Sequence, residues 1–137
     1  MTALSKIEGI GASYAEKLKK VGIKTVEALL EAGATPKGRK ELADKTKIGD
    51  ALILNWVNRA DLFRVPRVGE QYSDLLEKAG VDSVVELGKR KPENLVAKMA
   101  EVNEVNKQKK LVKRLPSMKV VEGWVKAAKE LPRKVKH

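Results

Sequence analysis

Apolar residues recur along this chain at intervals of three and four, the spacing of one face of a helix. From Asp50 to Leu62 they fall at 52, 53, 56, 57 and 60, which predicts a long helix. Before it, Thr25 reads as an N-cap, and Val26, Leu29 and Leu30 form an apolar stripe until Gly33 stops it. Thr35-Pro36 restarts a helix, with threonine as cap and proline at the first helical position, and Glu41 to Lys45 completes it. The chain opens with a short helix from about Ala3 to Ile7, a tight turn through Gly9-Ile10-Gly11, and a second helix from Ala12 to Val21 that stops at Gly22. Gly9 and Gly11 lack a Cβ, so this turn can take positive φ and approach another surface closely. Ile10 is expected to point back between the two helices and pin the turn. The next helix then starts with its free N–H groups outward, an arrangement that favours an anion.

The pattern then repeats. At an offset of 58, Leu4, Ile7, Gly11, Tyr14, Leu18, Gly22, Val26 and Leu29 align with Leu62, Val65, Gly69, Tyr72, Leu76, Gly80, Val84 and Leu87. Thr25 matches Ser83, and Ser83-x-x-Glu86 has the form of a capping box. Further on the offset becomes 68, where Ile53, Trp56, Val57 and Ala60 match Val121, Trp124, Val125 and Ala128. About ten residues have therefore been inserted, within Pro92 to Arg114, in a stretch that is helical in pattern and rich in lysine. Agreement at caps, glycines and core positions argues for duplication. The expectation is an all-α chain of two units, 1–62 and 58–132, followed by a basic tail at 133–137. The end of the long helix would supply the first helix of the second unit, fusing the two rigidly.

Composition changes this picture in one respect. The 137 residues carry a formal charge of +11, and its placement is uneven. Residues 107–137 hold eleven Lys/Arg against two Glu, whereas the preceding 106 residues hold 18 against 16. A basic C-terminal third on a near-neutral body implies a polyanionic partner. Cysteine is absent, which excludes disulfides and thiolate metal sites, and the one histidine, His137, stands beside lysines at the C-terminus. No apolar run approaches the roughly 18 residues of a membrane-spanning helix, and Met1-Thr2-Ala3-Leu4 lacks the charged and apolar regions of a signal peptide. A cytoplasmic protein is expected, nucleoid-associated if it binds DNA.

Four turns hold the candidate chemistry. The first has the full Gly-hydrophobic-Gly pattern. The second, Lys47-Ile48-Gly49, and the third, Arg67-Val68-Gly69, keep the last glycine and gain a cation. The fourth, Leu115-Pro116-Ser117, has lost both glycines and is expected to be structural, with Ser117 as an N-cap. Ser13 and Lys17 after the first turn, and Gln71 and Ser73 after the third, suit a phosphate. Asp50 and Glu70, directly after the glycines of turns two and three, would repel one. Tyr14 with Tyr72, and Trp56 with Trp124, recur at equivalent places and read as core. Carboxylates are scattered as Glu/Lys neighbours on solvated faces, with no cluster to hold a metal pair, and Asp82 reads as a turn residue before a serine cap. No catalytic residue and no cofactor are expected.

A helix, a Gly-hydrophobic-Gly turn and a second helix resemble the helix-hairpin-helix motif. The whole of residues 3–132 resembles an uncharacterised prokaryotic family, domain of unknown function 4332. That likeness rests on Ile7-Glu8-Gly9-Ile10-Gly11, Gly22-Ile23-Lys24-Thr25-Val26, Asn55-Trp56-Val57-Asn58-Arg59-Ala60-Asp61-Leu62, Glu101-Val102-Asn103 and Leu115-Pro116-Ser117. It implies an all-helical tandem similar to the non-catalytic DNA-holding domains of DNA polymerase beta and bacterial DNA ligase. In such domains hairpin amides contact phosphates across the minor groove, sometimes with a monovalent cation. Gly9, Gly11, Gly49 and Gly69 are the positions that match this role.

Two functions are therefore weighed. The first is a sequence-nonspecific module for duplex DNA. Its contacts would be Gly9, Ile10, Gly11, Ser13, Lys17, Lys47, Gly49, Arg67, Val68 and Gly69, with the electrostatic field of Lys107, Lys109, Lys110 and Lys113. The second is a protein-interaction scaffold that keeps the fold alone, which Asp50, Glu70 and the degenerate fourth turn favour.

Overall fold

A computed structural model of the chain describes residues 2–105 and 115–136. Among these the structure is all-helical, with eight α-helices and no ladder of strands. Four helices begin where the sequence placed a hydroxyl. Thr25 accepts from the Ala28 N–H at 3.0 Å to open the helix Val26–Ala32 (α2), and Thr35 accepts from the Gly38 N–H at 3.0 Å to open Pro36–Thr46 (α3). Ser83 caps Val84–Lys89 (α6) and Ser117 caps Met118–Glu130 (α8), each at 3.2 Å. A cap of this kind is worth about 1 kcal/mol over alanine. The capping box at Ser83 is closed from one side only, because the Glu86 carboxylate accepts instead from Arg90 Nε at 3.1 Å.

The described chain divides into two compact units. The first comprises residues 1–61 and 134–137. It holds a single 3-10 turn, Leu4–Lys6, then Ala12–Lys20 (α1), α2, α3 and nearly all of Asp50–Leu62 (α4). Its core is aliphatic around one indole, with Leu18, Leu29, Ile53, Trp56 and Val57 essentially closed to solvent. Gly33, the C-cap of α2, has no room for a side chain: a Cβ there would run into the Val57 side chain and lie 3.2 Å from the Leu29 carbonyl oxygen.

Residues 134–136 of the stretch assigned to a basic tail are held down in this unit. The Lys136 N–H donates to the Ala34 carbonyl at 2.7 Å, and Val135 is buried. Arg39 donates to the Gly33 carbonyl at 2.9 Å and to the Lys136 carbonyl at 2.7 Å. Burial pushes the Arg39 guanidinium pKa down, while the two carbonyls take up its donors. Lys134 pairs with Glu31 at 2.6 Å.

The second unit spans 62–133, with Gly69–Lys78 (α5), α6, Pro92–Val105 (α7) and α8. Leu62, Leu75, Leu76, Val81, Leu87 and Val121 form its centre. The stretch read as an insert contributes to this core through Leu95 and Met99 of α7. At Gly88 a Cβ would sit 3.4 Å from Lys129, so α6 and α8 approach closely there.

The same local structure recurs in both units. The N–H groups of Ile7 and Ile10 donate to the carbonyls of Leu4 and Ile7, and those of Val65 and Val68 to Leu62 and Val65. Helices α1 and α5 end alike. Gly22 (φ 88°) and Gly80 (φ 95°) turn left-handed, and the Ile23 and Val81 N–H groups close back on Leu18 and Leu76, both at 2.9 Å. Tyr14 meets Trp56 edge-on at 5.0 Å, and Tyr72 meets Trp124 at 5.3 Å.

Candidate nucleic-acid interface

Three turns have a common build: a left-handed residue, a buried apolar residue, then an exposed glycine. In the first, Gly9 stands at φ 95°, Ile10 is buried and Gly11 is open to solvent. In the second, Lys47 takes φ 62° and ψ 25° ahead of buried Ile48 and exposed Gly49. In the third, Arg67 takes φ 70° ahead of buried Val68 and exposed Gly69, itself at φ 57°. A left-handed backbone costs a residue with a Cβ about 1–2 kcal/mol, and two exposed cations stand in that conformation. The side chains of Ile10 and Val68 face inward, so at these positions only the backbone is available to a ligand.

The glycines differ in why they are glycine. Gly69 has a φ that favours it. Gly11 does not: its backbone is extended at φ −84° and ψ −176°, and a Cβ there meets nothing within 4 Å. Gly49 likewise avoids the left-handed region and has open space around it. Among the described residues neither φ nor packing requires glycine at 11 or 49, although glycine suits the N-cap position that Gly11 holds.

Helices α1 and α5, which follow the first and third turns, start without a side-chain cap, unlike the four hydroxyl-capped helices. No side chain at the N-cap position takes up their first-turn amides. Ser13 and Lys17 of α1, Gln71 of α5, and Lys47 and Arg67 of the second and third turns are exposed, and the Lys17 ammonium lies 5.8 Å from the centre of the Tyr14 ring. Asp50 and Glu70 are exposed as well. Ser73 turns inward and donates to the Glu70 carbonyl at 3.0 Å. Turns one and two lie in the first unit and turn three in the second. Ser117 of the fourth turn is occupied in capping α8, and Pro116 is buried. Lys107, Lys109, Lys110, Lys113 and His137 fall outside the described residues.

Among the described residues no three acidic or histidine side chains gather as a metal site, and no helix is long and apolar enough to cross a membrane. Asp82 is exposed between α5 and α6.

Two features escaped sequence reading. The left-handed backbone at Lys47 and Arg67 was signalled only by their register with Gly9. The burial of Arg39 had no signal, since its second acceptor lies 97 residues away.

Taken together, this is an all-helical protein of two units, with exposed glycine turns leading into helix N-termini. The chain belongs to the family described as Domain of unknown function (DUF4332), whose model matches residues 8–131. No curated protein and no solved structure matches it.

Proposed function

We propose that the chain is a non-catalytic, sequence-nonspecific DNA-binding module. Its first three turns act as helix-hairpin-helix motifs, and its two units are copies of one ancestral pair. Backbone amides after Gly11, Gly49 and Gly69 hold phosphates, and Lys47, Arg67 and the lysines of residues 107–113 supply the field. The observation that carries this reading is the pair of glycines at 11 and 49, which neither φ nor packing demands. A missing Cβ at a helix start lets a phosphate reach the amides.

The test is a salt-series titration of the full chain with duplex, single-stranded and branched DNA. Affinity for duplex should be independent of sequence, with a log–log salt slope of roughly −3 to −5 for about four to six neutralised phosphates. Absence of binding at low salt, or binding to one sequence alone, overturns the reading. Added Mg²⁺ should produce no cleavage. Exposed Asp50 and Glu70 beside the glycines favour the second reading, a protein-interaction scaffold, and that reading gains if duplex DNA fails to bind.

A further inference from the structure

We infer that residues 134–136 form a clasp: by fastening the chain that leaves the second unit onto the first, they stabilise the second unit as a cross-link would. The inference is independent of the DNA-binding reading.

The chain passes from the first unit to the second after Asp61 and comes back after Arg133, so both ends of the stretch 62–133 are tied to the first unit. The first tie is α4, which runs through the crossing without a break. The second is not helical. Helix α8 ends at Glu130, Leu131 turns to extended backbone, and residues 132–136 have no regular structure. The Arg64 guanidinium reaches from the start of the stretch 62–133 to its end, donating to the Pro132 carbonyl at 2.6 Å. The two ends of the second unit therefore lie close together, as in a domain that tolerates insertion into another.

The second tie holds by burial and backbone bonds. Val135 is 4 % exposed, although lysines flank it on both sides. The backbone of Lys136 is gripped twice, its N–H by the Ala34 carbonyl and its carbonyl by Arg39. The buried Arg39 is itself anchored on the Gly33 carbonyl, so the clasp seats at the corner between α2 and α3. A buried guanidinium is costly unless carbonyls take up its donors, and residue 136 supplies one of these two. The ion pair between Lys134 and Glu31 adds little, because the Glu31 side chain is 74 % exposed.

A chain held at both ends has fewer unfolded conformations than one held at a single end. If the second unit unfolds while the clasp is fastened, residues 62–133 become a closed loop, and that loss of entropy favours the folded unit. The clasp differs from a disulfide in that it can open, so its contribution is limited by its own grip. A partner that displaces Val135 therefore loosens the second unit without binding to it.

The test is amide hydrogen exchange of the full chain without denaturant, where both units are folded. Leu76 and Val125 report the second unit, and Leu42 and Val57 the first. Val135→Ala and Arg39→Met should each speed exchange at Leu76 and Val125 about tenfold, although both substitutions lie in the first unit. Lys134→Gln should change neither unit by more than about twofold. The control is Leu18→Ala, which weakens the core of the first unit while leaving Val135 and Arg39 in place. It should speed exchange at Leu42 and Val57 alone. Two-dimensional amide spectra of each variant show that both units remain folded. Unchanged exchange at Leu76 and Val125 in both clasp variants overturns the inference and leaves residues 134–136 as local packing. Equal acceleration of both units by Leu18→Ala overturns it too, because the units would then share one unfolding event with no need of a clasp.

Discussion

Replacing Gly11 and Gly49 by valine separates the turns from the charge around them. The structural cost is small, since both backbones lie outside the left-handed region and a Cβ at either meets open space. What remains is the poorer capping of a branched side chain at the start of α1 and α4, at most about 1 kcal/mol each. The binding cost is larger. A hydrogen bond from an amide to a charged group is worth about 1.5–3 kcal/mol, so displacing one phosphate contact per turn weakens binding about tenfold or more. The double variant should lose about 100-fold in duplex affinity, while its salt slope falls by only one or two units. Fluorescence anisotropy across a salt series reads both, with helical content measured on the same sample. Gly9 is the wrong position for this test, because its φ of 95° strains any side chain. A folded valine pair that binds like the parent would refute the role given to the glycines and leave a basic helical body.

Neutralising Lys107, Lys109, Lys110 and Lys113 to glutamine should do the reverse, reducing the salt slope by several units with the melting temperature unchanged. Two helical glycines should respond oppositely to alanine. Gly123→Ala should stabilise the fold by about 0.5–1 kcal/mol, because space is free and alanine favours a helix. Gly38→Ala should destabilise it by about 1–3 kcal/mol, because its methyl would overlap the Ala32 carbonyl oxygen; urea melts of the two distinguish the cases. Arg39→Met should cost about 1–3 kcal/mol by stranding the buried Gly33 carbonyl and releasing that of Lys136, with faster proteolysis at the C-terminal end as a second readout.

Much of this protein is determined locally, and that part was legible in the sequence. A hydroxyl cap acts within three residues, which is why Thr25, Thr35, Ser83 and Ser117 marked their helices. A period of 3.6 sets which face is buried, which is why Trp56 and Trp124 read as core. The left-handed glycines that end α1 and α5 depend on bonds spanning five residues, and their spacing gave them away. What the tertiary structure decided depends on groups far apart in the chain. Residues 134–136 are docked because Arg39 offers donors to a carbonyl 97 positions away. Helix α7 enters the core because its Leu95 and Met99 find the second unit's apolar centre. A cavity beside Arg67 exists because Pro66 and Gly123, on separate elements, leave space between them that neither specifies alone. Caps and periods are properties of a segment. Free volume and a buried charge's partners are properties of the folded whole, and only the assembled unit fixes them.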